Sequence, residues 1–176
     1  MTASTGHEVT FEAGWASLGA WGGIRAVGET RFLIELSNTE NITIESTADA
    51  RLVGGAWWLD EEGGRLLIIE RNGWEIERVD LRTGEVVHLY TMQRHDDEAF
   101  RSLTIHELSS KGVALLSECE LICMDAAGDI TWHISHKDFT LGVSSIREDE
   151  IVLGSQAPAR ENHTRRFALS SGDEIT

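Results

Sequence analysis

Asp80-Leu-Arg-Thr-Gly84-Glu-Val-Val, Asp125-Ala-Ala-Gly128-Asp-Ile-Thr-Trp132 and Leu169-Ser-Ser-Gly172-Asp-Glu-Ile decide how this chain is read. Each is a turn centred on Gly that leads out of a β-rich run and into a short apolar strand. The three glycines, at 84, 128 and 172, stand 44 residues apart. One further step back lands on Glu40, in Leu36-Ser-Asn-Thr-Glu40-Asn-Ile-Thr. A period in this range marks stacked or radial β units.

Helix-period patterns are scarce, whereas short runs of β-formers recur between Gly, Asn, Asp and Ser breaks. The clearest predicted strands are Arg65–Glu70, Glu75–Asp80, Glu85–Tyr90, Val113–Leu116, Glu120–Met124, Ile130–Ile134, Ile151–Leu153 and Arg166–Leu169. Between two of them, Arg71-Asn-Gly73 supplies the Asn-Gly pair that a tight hairpin favours, because both central residues tolerate positive φ.

Grouped by the interval, the strands fall into four quartets that begin near Trp15, Arg51, Arg101 and Thr140. Four antiparallel strands per repeat is the content of one propeller blade. The expectation is therefore an all-β, small propeller-like array of about four four-stranded blades. It forms a single domain over 1–176, with repeat units near 13–46, 47–91, 100–135 and 139–176. The fourth quartet lacks most of its last strand, and the β-like run His7-Glu-Val-Thr-Phe-Glu12 is expected to fill that place and close the ring. A twisted β-sandwich, or a half-propeller that pairs with a second copy as a homodimer, are the alternative architectures.

Composition narrows the function classes. The 30 acidic against 15 basic residues give a formal charge of −15, which repels a nucleic-acid backbone and attracts a basic protein. The start, Met1-Thr-Ala-Ser-Thr-Gly-His-Glu-Val, has no signal-peptide pattern, and no apolar run suits a bilayer. A cytoplasmic location and no membrane or nucleic-acid partner are expected. Cys119 and Cys123 lie four apart in a predicted strand, which sets their Cα atoms about 13 Å apart, beyond disulfide reach. They read as buried thiols.

Val79-Asp80-Leu-Arg-Thr83-Gly84 and Met124-Asp125-Ala-Ala-Gly128 with Trp132 resemble the repeat of pyrroloquinoline-quinone-type (PQQ-like) β-propellers. In that repeat an apolar strand enters an Asp-x-x-Thr-Gly turn and a Trp follows four residues after the Gly. Here His88 takes the Trp place after Gly84, Trp132 keeps it after Gly128, and Ala168-Leu169-Ser-Ser-Gly172 keeps the Gly and its apolar lead-in. The resemblance implies a fold in which the Trp docks on the neighbouring blade, and not an activity. Quinone-binding members resemble much larger rings, so no cofactor is expected.

No nucleophile elbow, phosphate-cradling Gly loop, zinc-ligand pairs or metalloprotease helix is present in the sequence, and no catalytic or metal-binding residue is assigned. Trp57 and Trp58 must point to opposite faces of a strand, so one of them is expected at the surface as a partner anchor. On a propeller the two longest connections, Met92–Ala99 and Gln156–His163, emerge on one face, which nominates Arg94, His95, Asp96, Asp97, Arg160, Glu161 and His163 for partner contact. Charge, surplus Trp and absent catalytic motifs together suggest a non-catalytic protein-binding module. It would be an acidic inhibitor or immunity-type protein that captures a basic partner. The alternative is an enzyme or small-ligand binder that uses Asp60, His106 and Arg147 at the mouth of the axis.

Overall fold

A computed structural model describes residues 7–9, 15–27, 31–37, 41–45, 55–70, 75–93, 103–136, 141–155 and 164–176. The chain is all-β, and its one helical element among the described residues is a single 3-10 turn, Gly19–Trp21. No helix among them is long and apolar enough to cross a membrane.

The first sheet runs β2 (Trp15–Ser17), β3 (Gly22–Val27), β4 (Arg31–Leu36) and β5 (Ile42–Glu45) in sequence order. The second orders β1 (His7–Val9), β6 (Gly55–Asp60), β7 (Arg65–Glu70), β8 (Glu75–Asp80) and β9 (Val86–Thr91). The third contains β10 (Leu103–Glu107), β11 (Val113–Ser117), β12 (Glu120–Met124) and β13 (Ile130–Ser135). The fourth contains β14 (Leu141–Ile146), β15 (Glu150–Ser155) and β16 (Thr164–Ala168). The chain forms four antiparallel sheets that follow one another in the order predicted from the repeat. The chain falls into two compact units, Met1–Met92 and Gln93–Thr176, each built from two of these sheets.

The repeating glycines explain why the strands turn where they do. Gly84, Gly128 and Gly172 adopt φ of 77°, 78° and 75°, a left-handed conformation that a side chain disfavours. Each closes its turn by donating its N–H to the carbonyl of Asp80, Asp125 or Ala168. At the first two turns the Asp carboxylate also accepts main-chain N–H groups, from Arg82 and Thr83 and from Ala127 and Asp129. Ala168 has no carboxylate to offer, and there Ser171 donates to Asp173 instead. Glu40 and the Asn72-Gly73 pair lie outside the described residues.

Within the first unit, Ile24, Ile34 and Ile42 of the first sheet pack on Trp57, Leu66, Ile68 and Val79 of the second. Within the second unit, Leu116, Leu121, Cys123 and Trp132 pack on Ile151, Leu153 and Phe167. Each fully buried aliphatic side chain contributes on the order of 1.5–3 kcal/mol. β11 and β12 are buried at every residue, which fits the apolar runs Val113–Leu116 and Leu121–Met124 and leaves Ser117 and Glu120 as buried polar groups. Cys119 and Cys123 are free and buried, and burial pushes the Cys123 thiol up to about 12.

Two expectations change. β1 does not join the fourth sheet: His7, Glu8 and Val9 pair with Trp57, Ala56 and Gly55 on the edge of the second. That edge is nearer along the chain, and closing a shorter loop costs less entropy. Nor does either Trp of the 57–58 pair reach the surface, since both are 4% exposed. Alternation does send them to opposite faces, but the second sheet is covered on both, as buried Leu66 and Ile68 on one side and Leu67 and Ile69 on the other show.

Candidate functional site

A hairpin centred on the Asp80–Gly84 turn sets Glu77 opposite His88. Glu75 lies two residues before Glu77 and therefore on the same face. The register shifts between Ile76 and Glu77, so that Glu75 faces Thr91 while Leu89 becomes the extra residue of a bulge. Without the bulge His88 and Thr91 would alternate to opposite faces. With it, Thr91 Oγ1 sits 3.2 Å from His88 Nε2.

The result is a group of three potential ligand atoms, one each from Glu75, Glu77 and His88, all within 4.8 Å of one another. Both glutamates are half-buried and the imidazole is exposed. Burial, followed by the neighbouring charge of Glu75, raises the pKa of Glu77 above the usual carboxylate range, while His88 pulls it back down. A carboxylate pair with an imidazole is a donor set for a cation.

The third sheet gives the same strand pair a different outcome. His133 faces Ile122, which stands where Glu77 stands, and Glu120 takes the place of Glu75. The Glu120 carboxylate is fully buried: Gln93 donates its main-chain N–H to Oε2 at 2.6 Å, and His133 Nδ1 lies 3.6 Å from Oε1. One acid and one imidazole remain, and the acid is bound into the frame.

No protein-family model and no curated protein matches the chain. Among solved structures, the WD40 domain of Neurospora crassa Pan2 aligns with it at a TM-score of 0.46 and 15% sequence identity. The match covers 92% of this chain and 50% of that one, so the chain spans half the length of that structure.

The sequence candidates fall elsewhere. Arg94, His95, Asp96, Asp97, Arg160, Glu161 and His163 lie outside the described residues. Asp60 is held by Arg65 at 2.6 Å and accepts the Gly63 N–H at 2.9 Å. Arg147 pairs with the buried Glu150 at 2.7 Å, on which Arg166 also bears at 2.5 Å. His106 is half-buried, and desolvation lowers its pKa. Asp60 and Arg147 thus serve ion pairs within their own sheets, in different units.

Sequence reasoning passed over Glu75, Glu77 and His88. Their signal was present as Glu75-Ile-Glu77 on one strand and a His across the next turn. It becomes readable only once the hairpin register is known, because a shift of one residue would send His88 to the other face.

Proposed function

We propose that this chain is a non-catalytic protein-binding module whose acidic surface captures a basic partner, in the manner of an inhibitor or immunity-type protein. The observation that carries this reading is where the arginines go. Arg25 pairs with Glu35, Arg65 with Asp60, Arg147 and Arg166 with Glu150, and Arg165 with Glu174. Arg82 donates to the carbonyls of Gly63 and Glu62. Cations engaged by the fold neutralise acids of the fold, while Glu61, Glu85, Glu107, Glu148 and Asp149 remain exposed in a chain of formal charge −15. Such a field speeds encounter with a cationic protein and repels anionic ones.

The contact face belongs to the two long connections, with Arg94, His95, Asp96, Asp97, Arg160, Glu161 and His163 as the residues to substitute first. The finer repeat assignment, PQQ-like, is part of the same proposal. It is supported by Trp132, whose indole N–H reaches the Leu169 carbonyl of the following sheet at 2.7 Å.

The test is to isolate the partner from host extract, identify it by mass spectrometry and measure Kd from low to high ionic strength. Affinity is expected to fall steadily with salt, and Asp96→Lys with Asp97→Lys is expected to weaken it further. A complex indifferent to salt would sink the reading.

A further inference from the structure

We propose that Glu75, Glu77 and His88 form a surface site for one divalent transition cation, of which zinc is the best fit. The donor set selects the metal. Imidazole nitrogen with two carboxylates suits zinc, which accepts three protein ligands and leaves a fourth position to water. Calcium asks for six to eight oxygens, and magnesium for near-octahedral oxygen geometry, neither of which three donors with one nitrogen approach.

The distances fit a site poised to close. Donors at about 2.0–2.2 Å from a tetrahedral zinc stand roughly 3.3–3.6 Å apart. The three atoms are now within 4.8 Å, and the side-chain torsions of two glutamates can supply the remaining movement without shifting the backbone. Thr91 Oγ1 at 3.2 Å from Nε2 fixes the imidazole ring, as partners of ligating histidines do. Half-buried Glu77, on the same face as Glu75, carries both like-charge repulsion and lost hydration. A cation relieves both.

The molecule contains its own comparator. In the third sheet the equivalent strand pair presents His133 with Ile122 opposite it, and the neighbouring carboxylate of Glu120 accepts the Gln93 N–H. That pair lacks the third donor and offers no site.

The experiment uses the full chain and Zn2+ alone, with stoichiometry from equilibrium dialysis and affinity from calorimetry. One equivalent is expected to bind in the micromolar range. His88→Ala and Glu77→Gln should each weaken binding by at least about tenfold, whereas His133→Ala leaves it unchanged. Circular dichroism checks that each variant folds. Excess Ca2+ or Mg2+ should not displace the zinc. Absence of binding to the folded wild-type chain overturns the proposal. So does zinc uptake that survives His88→Ala intact, or that falls equally with His133→Ala.

Discussion

In each unit a tryptophan from one sheet is seated against a glycine of the next, yet the two pairs use different turns. In the second unit Trp132, on β13, covers Gly172 in the turn after β16, and a Cβ added there would stand 2.8 Å from the ring. In the first unit the residue over the corresponding glycine, Gly84, is Ile42, and the added Cβ would meet it at an ordinary 3.8 Å. The aromatic contact has moved to Trp21, whose ring lies 2.8 Å from the same construction at Gly64 in the β6–β7 turn. Both indoles donate to a main-chain carbonyl of the adjacent sheet, Glu61 for Trp21 and Leu169 for Trp132. Arg82 lies over the Trp21 ring as well, 5.5 Å from its centroid. The device of sheet-to-sheet locking is therefore separable from the repeat: the glycine turn recurs for backbone reasons, and the aromatic goes wherever a side-chain-free surface lets it approach.

The largest test of this contrast is the pair of indole deletions. Trp132 is 9% exposed, so Trp132→Ala is expected to lower unfolding free energy in a denaturant melt by about 3–5 kcal/mol. Trp21 is only half-buried, and Trp21→Ala should cost about half as much. Equal losses would show that the two locks are energetically the same.

Next come the glycines. Gly172→Ala combines a left-handed residue, about 1–2 kcal/mol, with overpacking against Trp132, about 1–3 kcal/mol. Gly84→Ala incurs only the first. If both variants melt together, the close approach of Trp132 does not constrain the turn.

Arg82→Ala is smaller, on the order of 1 kcal/mol, since an exposed side chain loses its bonds to the Gly63 and Glu62 carbonyls and its contact with Trp21. The second unit has no counterpart of this clamp among the described residues. Arg165 instead covers Phe167 of its own strand and pairs with Glu174.

The smallest effect is a pair of opposite pH responses within one hairpin. The pKa of Glu77 is raised, so its ionised form is disfavoured on folding. The destabilisation is absent at low pH, appears as pH rises from the usual carboxylate range to the raised value, and persists at neutrality. Glu77→Gln in metal-free buffer should raise Tm at pH 7 and give no gain in acid. Asp80 is the reverse: hydrogen bonds from Thr83, ahead of those from Arg82, hold its pKa low, so its contribution is full above the usual range and lost as pH falls through the lowered value. Asp80→Asn should therefore lower Tm at pH 7 and converge with wild type in acid. Thermal melts between pH 3 and pH 7 would separate the two signs.

Much of the frame was legible because its determinants are local. Arg65–Glu70, Glu75–Asp80 and Glu120–Met124 are strands with the bounds predicted from their runs of β-formers, and all three repeat glycines share one backbone conformation. Trp132 was legible too, since its place after Gly128 implied docking on the next sheet, where its indole meets Leu169. The exposure of Trp57 and Trp58 was not, because alternation says that neighbours face opposite ways and nothing about whether each face is covered. The group of Glu75, Glu77 and His88 was hidden for a related reason: two-residue periodicity aligns the glutamates, but the register of the β8–β9 hairpin sets His88 opposite Glu77, and the bulge at Leu89 brings Thr91 to the same face.

The amino-acid order alone determined the all-β class, the four-sheet series and the turn sites, since strand periodicity and the left-handed tolerance of glycine act within a few residues. Tertiary structure decided the rest: that β1 joins β6, that Arg25, Arg65, Arg147, Arg165 and Arg166 turn to the fold's own acids, and that two glutamates and a histidine share one face. These depend on register and on contacts between segments distant in the chain, where the energy comes from partners that no local pattern names.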